Sequence, residues 1–279
     1  MTHPILIHAF ADGARGGNPA GVVLDADGLD ASACQRIAAA AGVPETAFVS
    51  RSDVATLRLS FFTPTRQIAH CGHATVATFG LLHRLGRLGE GDYRKETIDG
   101  LRDVRIAGGR VYLAQTPRSI EPDVVDRAAL ADLLGLRVEA VLDAARVDTG
   151  NAFVQIEMRD DRDLAEIRPD FAAIEALSAR LGVIGLYAST RNGVVAGRVA
   201  STRMFAPAYG IPEEAATGTA ASGLAWWMAA RGLIDASAQI EQGRYLQPPS
   251  VSPIDLRVER VDGQVRRVWV GGAIRVDDR

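Results

Sequence analysis

The chain has 279 residues, is 47% hydrophobic and 23% charged, and carries a formal net charge of −3. That is enough apolar matter for one large domain or two medium ones, and too much for intrinsic disorder. A pI near 6.0 reflects no excess of basic residues to release counterions from phosphates, so no nucleic-acid partner is expected.

Ile5 to Phe10 reads as a short apolar strand, and the Gly-rich residues 12–18 end in the turn signal Gly17-Asn18-Pro19. Gly21-Val22-Val23-Leu24 is a second strand. Ala31 to Ala41 reads as a helix capped by Asp30 and stopped by Gly42. Pro44-Glu45-Thr46-Ala47-Phe48-Val49 leads into a strand, and Leu57 to Phe62 alternates as a half-buried strand does, up to Thr63-Pro64. Ala69-His70-Cys71-Gly72-His73 then precedes a helix from Ala74 to about Leu85. Ala74, Val76, Ala77, Phe79, Leu81 and Leu82 surround its wheel, and a helix without a polar face is buried on all sides.

The second half repeats the plan. Thr149-Gly150-Asn151-Ala152-Phe153-Val154 echoes Gly17-Asn18-Pro19-Ala20-Gly21-Val22. Met204-Phe205-Ala206-Pro207 echoes Phe61-Phe62-Thr63-Pro64, and Thr217-Gly218-Thr219-Ala220 echoes Cys71-Gly72-His73-Ala74. Leu224 to Ala230 supplies a second helix that is apolar all round. Three echoes in one order indicate an internal duplication, with an insertion at Tyr209 to Glu214; two copies make two lobes rather than a solenoid. The proline-bearing connector Thr116 to Pro122 separates them, giving an N-terminal lobe 1–117 and a C-terminal lobe 118–265. The strand-like Val268 to Val276 allows 266–279 to return to the first lobe.

Composition also narrows the chemistry. Two thiols, Cys34 and Cys71, make no disulfide framework and demand no oxidising compartment. Met1-Thr2-His3-Pro4-Ile5-Leu6 lacks the charged start and apolar run of a signal peptide. No run of about 18 uncharged apolar residues marks a membrane span. A cytoplasmic protein without a membrane partner is expected. Of the 31 basic residues, Lys95 is the one lysine. A pyridoxal Schiff base needs a lysine, and Asp92-Tyr93-Arg94-Lys95-Glu96 reads as an exposed polar loop. Nor is there a Gly-Lys pair for a phosphate loop, a G-x-G-x-x-G after a strand, or a G-x-S-x-G elbow. No cofactor is expected.

The starts of the two apolar helices are the candidate site. First-turn amides lack internal partners and carry partial positive charge, and Gly72 and Gly218 let a ligand approach the backbone. One such start per lobe, facing a common cleft, suits a small carboxylate. Glu45, between Pro44 and Thr46 amid apolar neighbours, reads either as a solvated loop or cap residue or as a desolvated carboxyl suited to proton transfer. His70, Cys71 and His73 look metal-like, but zinc needs three or four ligands, and His3, His8, His83 and Cys34 show no ligand spacing; no metal is expected. Cys71 at a helix start reads as a candidate thiolate, and Cys34 as a core thiol.

Gly17-Asn18-Pro19-Ala20, Glu45-Thr46-Ala47-Phe48-Val49, Phe62-Thr63-Pro64 with Cys71-Gly72-His73-Ala74-Thr75, and the segment 213–223 together resemble the phenazine-biosynthesis PhzF-like proteins, relatives of diaminopimelate epimerase. The resemblance runs from about residue 5 to 276. It implies an α+β fold of two similar lobes, each a curled mixed sheet around a central buried helix. It also implies cofactor-free proton-shift chemistry between the lobes, and a homodimer. Glu45 matches the family's catalytic glutamate and His73 the histidine of its Gly-His motif. Asn18, Gly72, Gly218 and Thr219 match substrate-binding positions, Thr219 standing where serine is usual. Glu214 replaces a substrate-contacting aspartate, and Gln247-Pro248-Pro249-Ser250 lacks an arginine usual in the family. Cys71 stands where the epimerases carry one of two catalytic thiols, but the partner position is Thr217.

The expectation is an isomerase that moves a proton on a small carboxylate-bearing substrate, with Glu45 as general acid/base and His73 and Glu214 assisting. The alternatives are a one-thiol epimerase or racemase using Cys71, and a small-molecule-binding relative without catalysis.

Overall fold

In the first half, extended runs pair into a mixed sheet whose crossovers are helices. The structure is a computed structural model that describes residues 3–192 and 195–277; Met1, Thr2, Gly193, Val194, Asp278 and Arg279 lie outside the described residues. The chain divides into two compact units, Met1–Ala114 with Gly271–Arg279, and Gln115–Val270.

In the first unit, β1 (Ile5–Ala9) pairs antiparallel with β2 (Asn18–Val23). Helix α1 (Ala31–Ala40) crosses to β3 (Glu45–Ser50), which lies parallel to β2 with Ala20 opposite Glu45. Its Asp30 cap accepts the Ala33 N–H at 2.7 Å. Strand β4 (Leu57–Phe62) returns antiparallel to β3, and the short β5 (Gln67–Ile68) folds against it. Helix α2 (Gly72–Arg84) crosses to β6 (Gly91–Thr97), parallel to β4, and β7 (Gly100–Ala107) and β8 (Arg110–Gln115) follow as a meander. The C-terminal strand Ile274–Val276 closes the far edge against β1.

The sheet curls around α2, which packs on β1, β2, β3, β7 and the C-terminal strand. Every residue from His73 to Leu82 is buried. Each large apolar side chain there contributes roughly 1.5–3 kcal/mol. Gly80 permits the close approach, since a Cβ at that position would meet Ile274 Cγ2 at 2.6 Å.

The second unit has the same topology. β9 (Ser119–Pro122) lies within the expected connector and, beyond α3 (Arg127–Leu133), pairs antiparallel with β10 (Val141–Asp148). β10 pairs antiparallel with β11 (Ala152–Met158). Helices α4 (Asp161–Ala165) and α5 (Phe171–Leu181) cross to β12 (Gly185–Thr190), parallel to β11. β13 (Ala200–Phe205) returns antiparallel. Helix α6 (Gly218–Ala230) then crosses to β14 (Ser237–Gln242), parallel to β13, and β15 (Ser252–Val261) pairs with β14 before β16 (Gln264–Gly272). Antiparallel, parallel, antiparallel, parallel, antiparallel is the succession in both units, with the long buried helix at the same step. That identity of order is the duplication, and the fold is α+β with two such lobes. α6 begins six residues before the expected Leu224: Thr217 is its N-cap, and the small residues after it fit the helix to the sheet, Gly223 facing Gln155.

Lys95 corrects the sequence reading. It lies on β6, fully buried rather than in an exposed loop. Its Nζ donates to Thr75 Oγ1 at 2.6 Å, stands 3.3 Å from His70 Nδ1 and lies 5.0 Å from the Phe61 ring centre. The segment looks polar because its outward residues are ion-paired across β7, Asp92 with Arg105 and Arg94 with Asp103. Tyr93, Lys95 and Thr97 occupy the other face, as period-two alternation dictates. Burial lowers the Lys95 pKa from 10.5 to about 7.

Below that value the folded and unfolded chains both hold the lysine proton. Between about 7 and 10.5 the unfolded chain binds it more, so stability rises with pH through this window. At about 1.4 kcal/mol per pKa unit, Lys95→Met is expected to raise the melting temperature near neutral pH and to lose that gain by about pH 10.5. Thermal melts across this range check it; a difference that does not change with pH would contradict the buried-charge account.

Candidate active site

Glu45 opens β3 and is 7% exposed. Parallel pairing puts it in register with Ala20, so Glu45, Ala20 and Asn18, two residues earlier on β2, share one face of the sheet. Asn18 is buried. The start of α2 meets Glu45. Cys71 is the N-cap residue, with extended backbone (φ −143°, ψ 119°) and no side-chain capping bond; Gly72 and His73 form the first turn. A Cβ on Gly72 would make only an ordinary contact, 3.7 Å from Leu113 Cδ1, so the first unit's own packing does not demand a glycine there.

His73 Nε2 stands 3.2 Å from Glu45 Oε2, and both side chains are at least nine-tenths buried. The contact is close but out of line, and Oε2 makes no hydrogen bond. Cys71 Sγ lies 3.5 Å from His73 Nδ1 and 3.9 Å from Nε2. Thiol, imidazole and carboxylate thus converge on one buried point, their donor atoms within 4.8 Å of one another. The third member, Glu45, comes from a different element, which spacing along the chain does not show. His70 is not in this cluster; it faces Lys95.

Burial alone would lower the His73 pKa, but its acidic neighbours Cys71 and Glu45 outweigh it and hold it well above 6.5. Burial pushes the Cys71 thiol up from 9.0, and His73 offsets this only in part. His73 is therefore the protonated member of the cluster near neutral pH, and Cys71 gives up its proton less readily than a free thiol. This corrects the thiolate expectation: loss of hydration outweighs the helix start.

In the second unit, Thr217 is the α6 N-cap, and its hydroxyl donates to Glu214 Oε2. Gln242 organises this corner. Its Nε2 donates to the Glu214 carbonyl (2.7 Å) and Thr217 Oγ1 (3.1 Å), while its Oε1 accepts from the Thr217 N–H (3.1 Å) and the Tyr187 hydroxyl (3.0 Å). Glu213, by contrast, is committed to a bidentate pair with Arg203. Gly218 and Thr219 open α6, Gly218 buried and Thr219 half-buried. Gln242 and Tyr187 carried no sequence signal; they are buried polar residues, legible only through their partners.

A duplicated sheet wrapped on two buried helices, with an acid–imidazole pair at the start of one, defines a family. The chain belongs to the phenazine biosynthesis-like (PhzC-PhzF) family, which it matches over residues 7–277. It is 37% identical to an uncharacterized isomerase of Deinococcus radiodurans, over 99% of this chain and 93% of that one. It is 31% identical to trans-2,3-dihydro-3-hydroxyanthranilate isomerase of Pseudomonas chlororaphis, over 98% of this chain and 96% of that one. Among solved structures, the PhzF-family protein of Bacillus anthracis superposes with a TM-score of 0.89 at 25% identity, covering 99% of this chain and 96% of the other. A hydroxyproline epimerase from Agrobacterium vitis, at 14% identity and a TM-score of 0.59, shares the fold. By this kinship the protein is an isomerase. Among the described residues, no helix is long and apolar enough to cross a membrane.

The raised thiol predicts slow chemistry at Cys71. In a Cys34→Ala background, alkylation by iodoacetamide near neutral pH is expected to be slower than for a small free thiol, with its inflection above pH 9.0. Fast alkylation at neutral pH would contradict the neutral thiol.

Proposed function

We propose that the protein is a cofactor-independent isomerase that shifts a proton within a small carboxylate-bearing substrate, with Glu45 as the proton carrier. The observation that carries this reading is the buried 3.2 Å approach of Glu45 to His73 at the start of α2. The Glu45 carboxylate takes a proton from an activated carbon and becomes the neutral acid. It then returns that proton to another carbon as the substrate's double bond moves. No electrons are gained or lost, so no oxidant is needed. The His73 imidazolium faces the negative charge that develops on the substrate. The amides of Gly72 and His73, at the positive end of α2, suit the substrate carboxylate. In the second unit, the start of α6 carries Gly218, Thr219 and Glu214, which stand at the family's other substrate-binding positions. The relative from Pseudomonas chlororaphis acts on trans-2,3-dihydro-3-hydroxyanthranilate, and a related unsaturated carboxylate fits this chemistry.

The competing reading, an epimerase that uses the Cys71 thiol, has the convergence of Sγ on His73 in its favour. Against it stand the raised thiol and the presence of Thr217, which has no thiol, at the matching helix start.

Two variants separate the readings on a turned-over substrate. Glu45→Gln keeps the shape but accepts no proton at neutral pH, so it is expected to lower kcat by about 10²–10⁴-fold with little change in fold. Cys71→Ala is expected to stay within about tenfold of wild type, whereas an essential acid or base would cost about 10²–10⁴-fold. In deuterated water, part of the migrating hydrogen should reach the product without exchange. A Glu45→Gln enzyme with normal turnover would end this mechanism, and a large loss in Cys71→Ala would favour the epimerase.

A further inference from the structure

Three unlike donors face one another at the start of α2, at spacings a little wider than those of ligands around a single ion. A tetrahedral ion with bonds of about 2.0–2.3 Å to nitrogen, oxygen and sulfur sets its donors about 3.3–3.6 Å apart. Glu45 Oε2 and His73 Nε2 are 3.2 Å apart, Sγ and Nε2 are 3.9 Å apart, and all three donors fall within 4.8 Å.

A second observation is independent of that spacing. Glu45 Oε2 is buried, lies beside the other two donors and accepts no hydrogen bond. Such an oxygen forfeits hydration with only the ion pair to His73 in return, and a cation bound there would satisfy it. Sulfur and imidazole ligands select zinc-like ions over magnesium or calcium, which favour all-oxygen shells.

We propose that Cys71 Sγ, His73 Nε2 and Glu45 Oε2 form a binding site for a thiophilic divalent cation such as zinc, with the fourth position open. Two protons leave to the buffer as the ion binds, one from the thiol and one from the imidazolium, so charge balances. The site stands on geometry alone. Its consequence, inhibition through capture of the Glu45 carboxylate, rests on the isomerase reading above.

The test uses cobalt on the full, untagged chain, with no substrate. One equivalent of cobalt is expected to bind and give a thiolate-to-cobalt band in the near ultraviolet, which zinc then displaces. Cys34→Ala should keep the band and Cys71→Ala should lose it; Cys71→Ser takes its place if circular dichroism shows the alanine variant unfolded. Glu45→Gln should weaken binding by roughly tenfold or more, since even loss of an outer-shell partner costs about 10–100-fold. The proposal is overturned by no thiolate band at millimolar cobalt, by a band that survives loss of the Cys71 thiol, or by an affinity that Glu45→Gln leaves unchanged. Because no substrate enters, a failure here leaves the isomerase reading standing, and a failure of the Glu45→Gln turnover assay leaves the cation site standing.

Discussion

A carboxylate and an imidazolium, both taken out of water at the first turn of a buried helix, set the terms for the rest of the molecule. Burying either alone costs several kcal/mol; together each supplies the other's counter-charge across 3.2 Å. The compensation is incomplete, because Glu45 Oε2 is left without a hydrogen bond. A fully satisfied pair would be a structural brace. A pair with an unsatisfied oxygen is poised to interact with something else, whether a substrate proton or a cation.

The fold exists to hold that pair still. Glu45 is fixed by a parallel register to β2, and His73 by a helix with no exposed face over ten residues. Neither element can shift without unpacking the sheet around α2, so side-chain geometry is tied to the core. The second unit solves the same problem with different chemistry. At its helix start Thr217, Glu214 and Gln242 satisfy one another by hydrogen bonds, where the first unit brings together Cys71, His73 and Glu45. Duplication supplied two helix starts, and substitution made one a charged pair and the other a neutral network around a carboxylate.

Much of this was legible in the chain. The apolar residues all round the helical wheel of 74–82 required a buried helix, and three ordered echoes required a second lobe of the same plan. Glu45 was ambiguous from spacing and became a site residue through family resemblance. Its contact with His73 joins residues 28 positions apart and follows from the β2–β3 register, which no local pattern encodes. Lys95 was misread for a related reason: Asp92 and Arg94 advertise solvent, while the alternate face of the same strand carries the chain's one lysine into the core. The rise in the Cys71 pKa was not legible because it comes from burial by packing around α2, which the residue's place at a helix start does not show.

The central claim is that Glu45 holds a proton on His73 in the folded protein. Nitrogen-15 NMR of labelled histidine, followed across pH in the wild type and in Glu45→Gln, measures this directly. The account predicts that the wild-type His73 remains an imidazolium well above pH 6.5 and that its pKa falls in Glu45→Gln, where Cys71 alone is left to offset burial. A His73 that titrates near its ordinary value, or one that Glu45→Gln leaves unmoved, would contradict it.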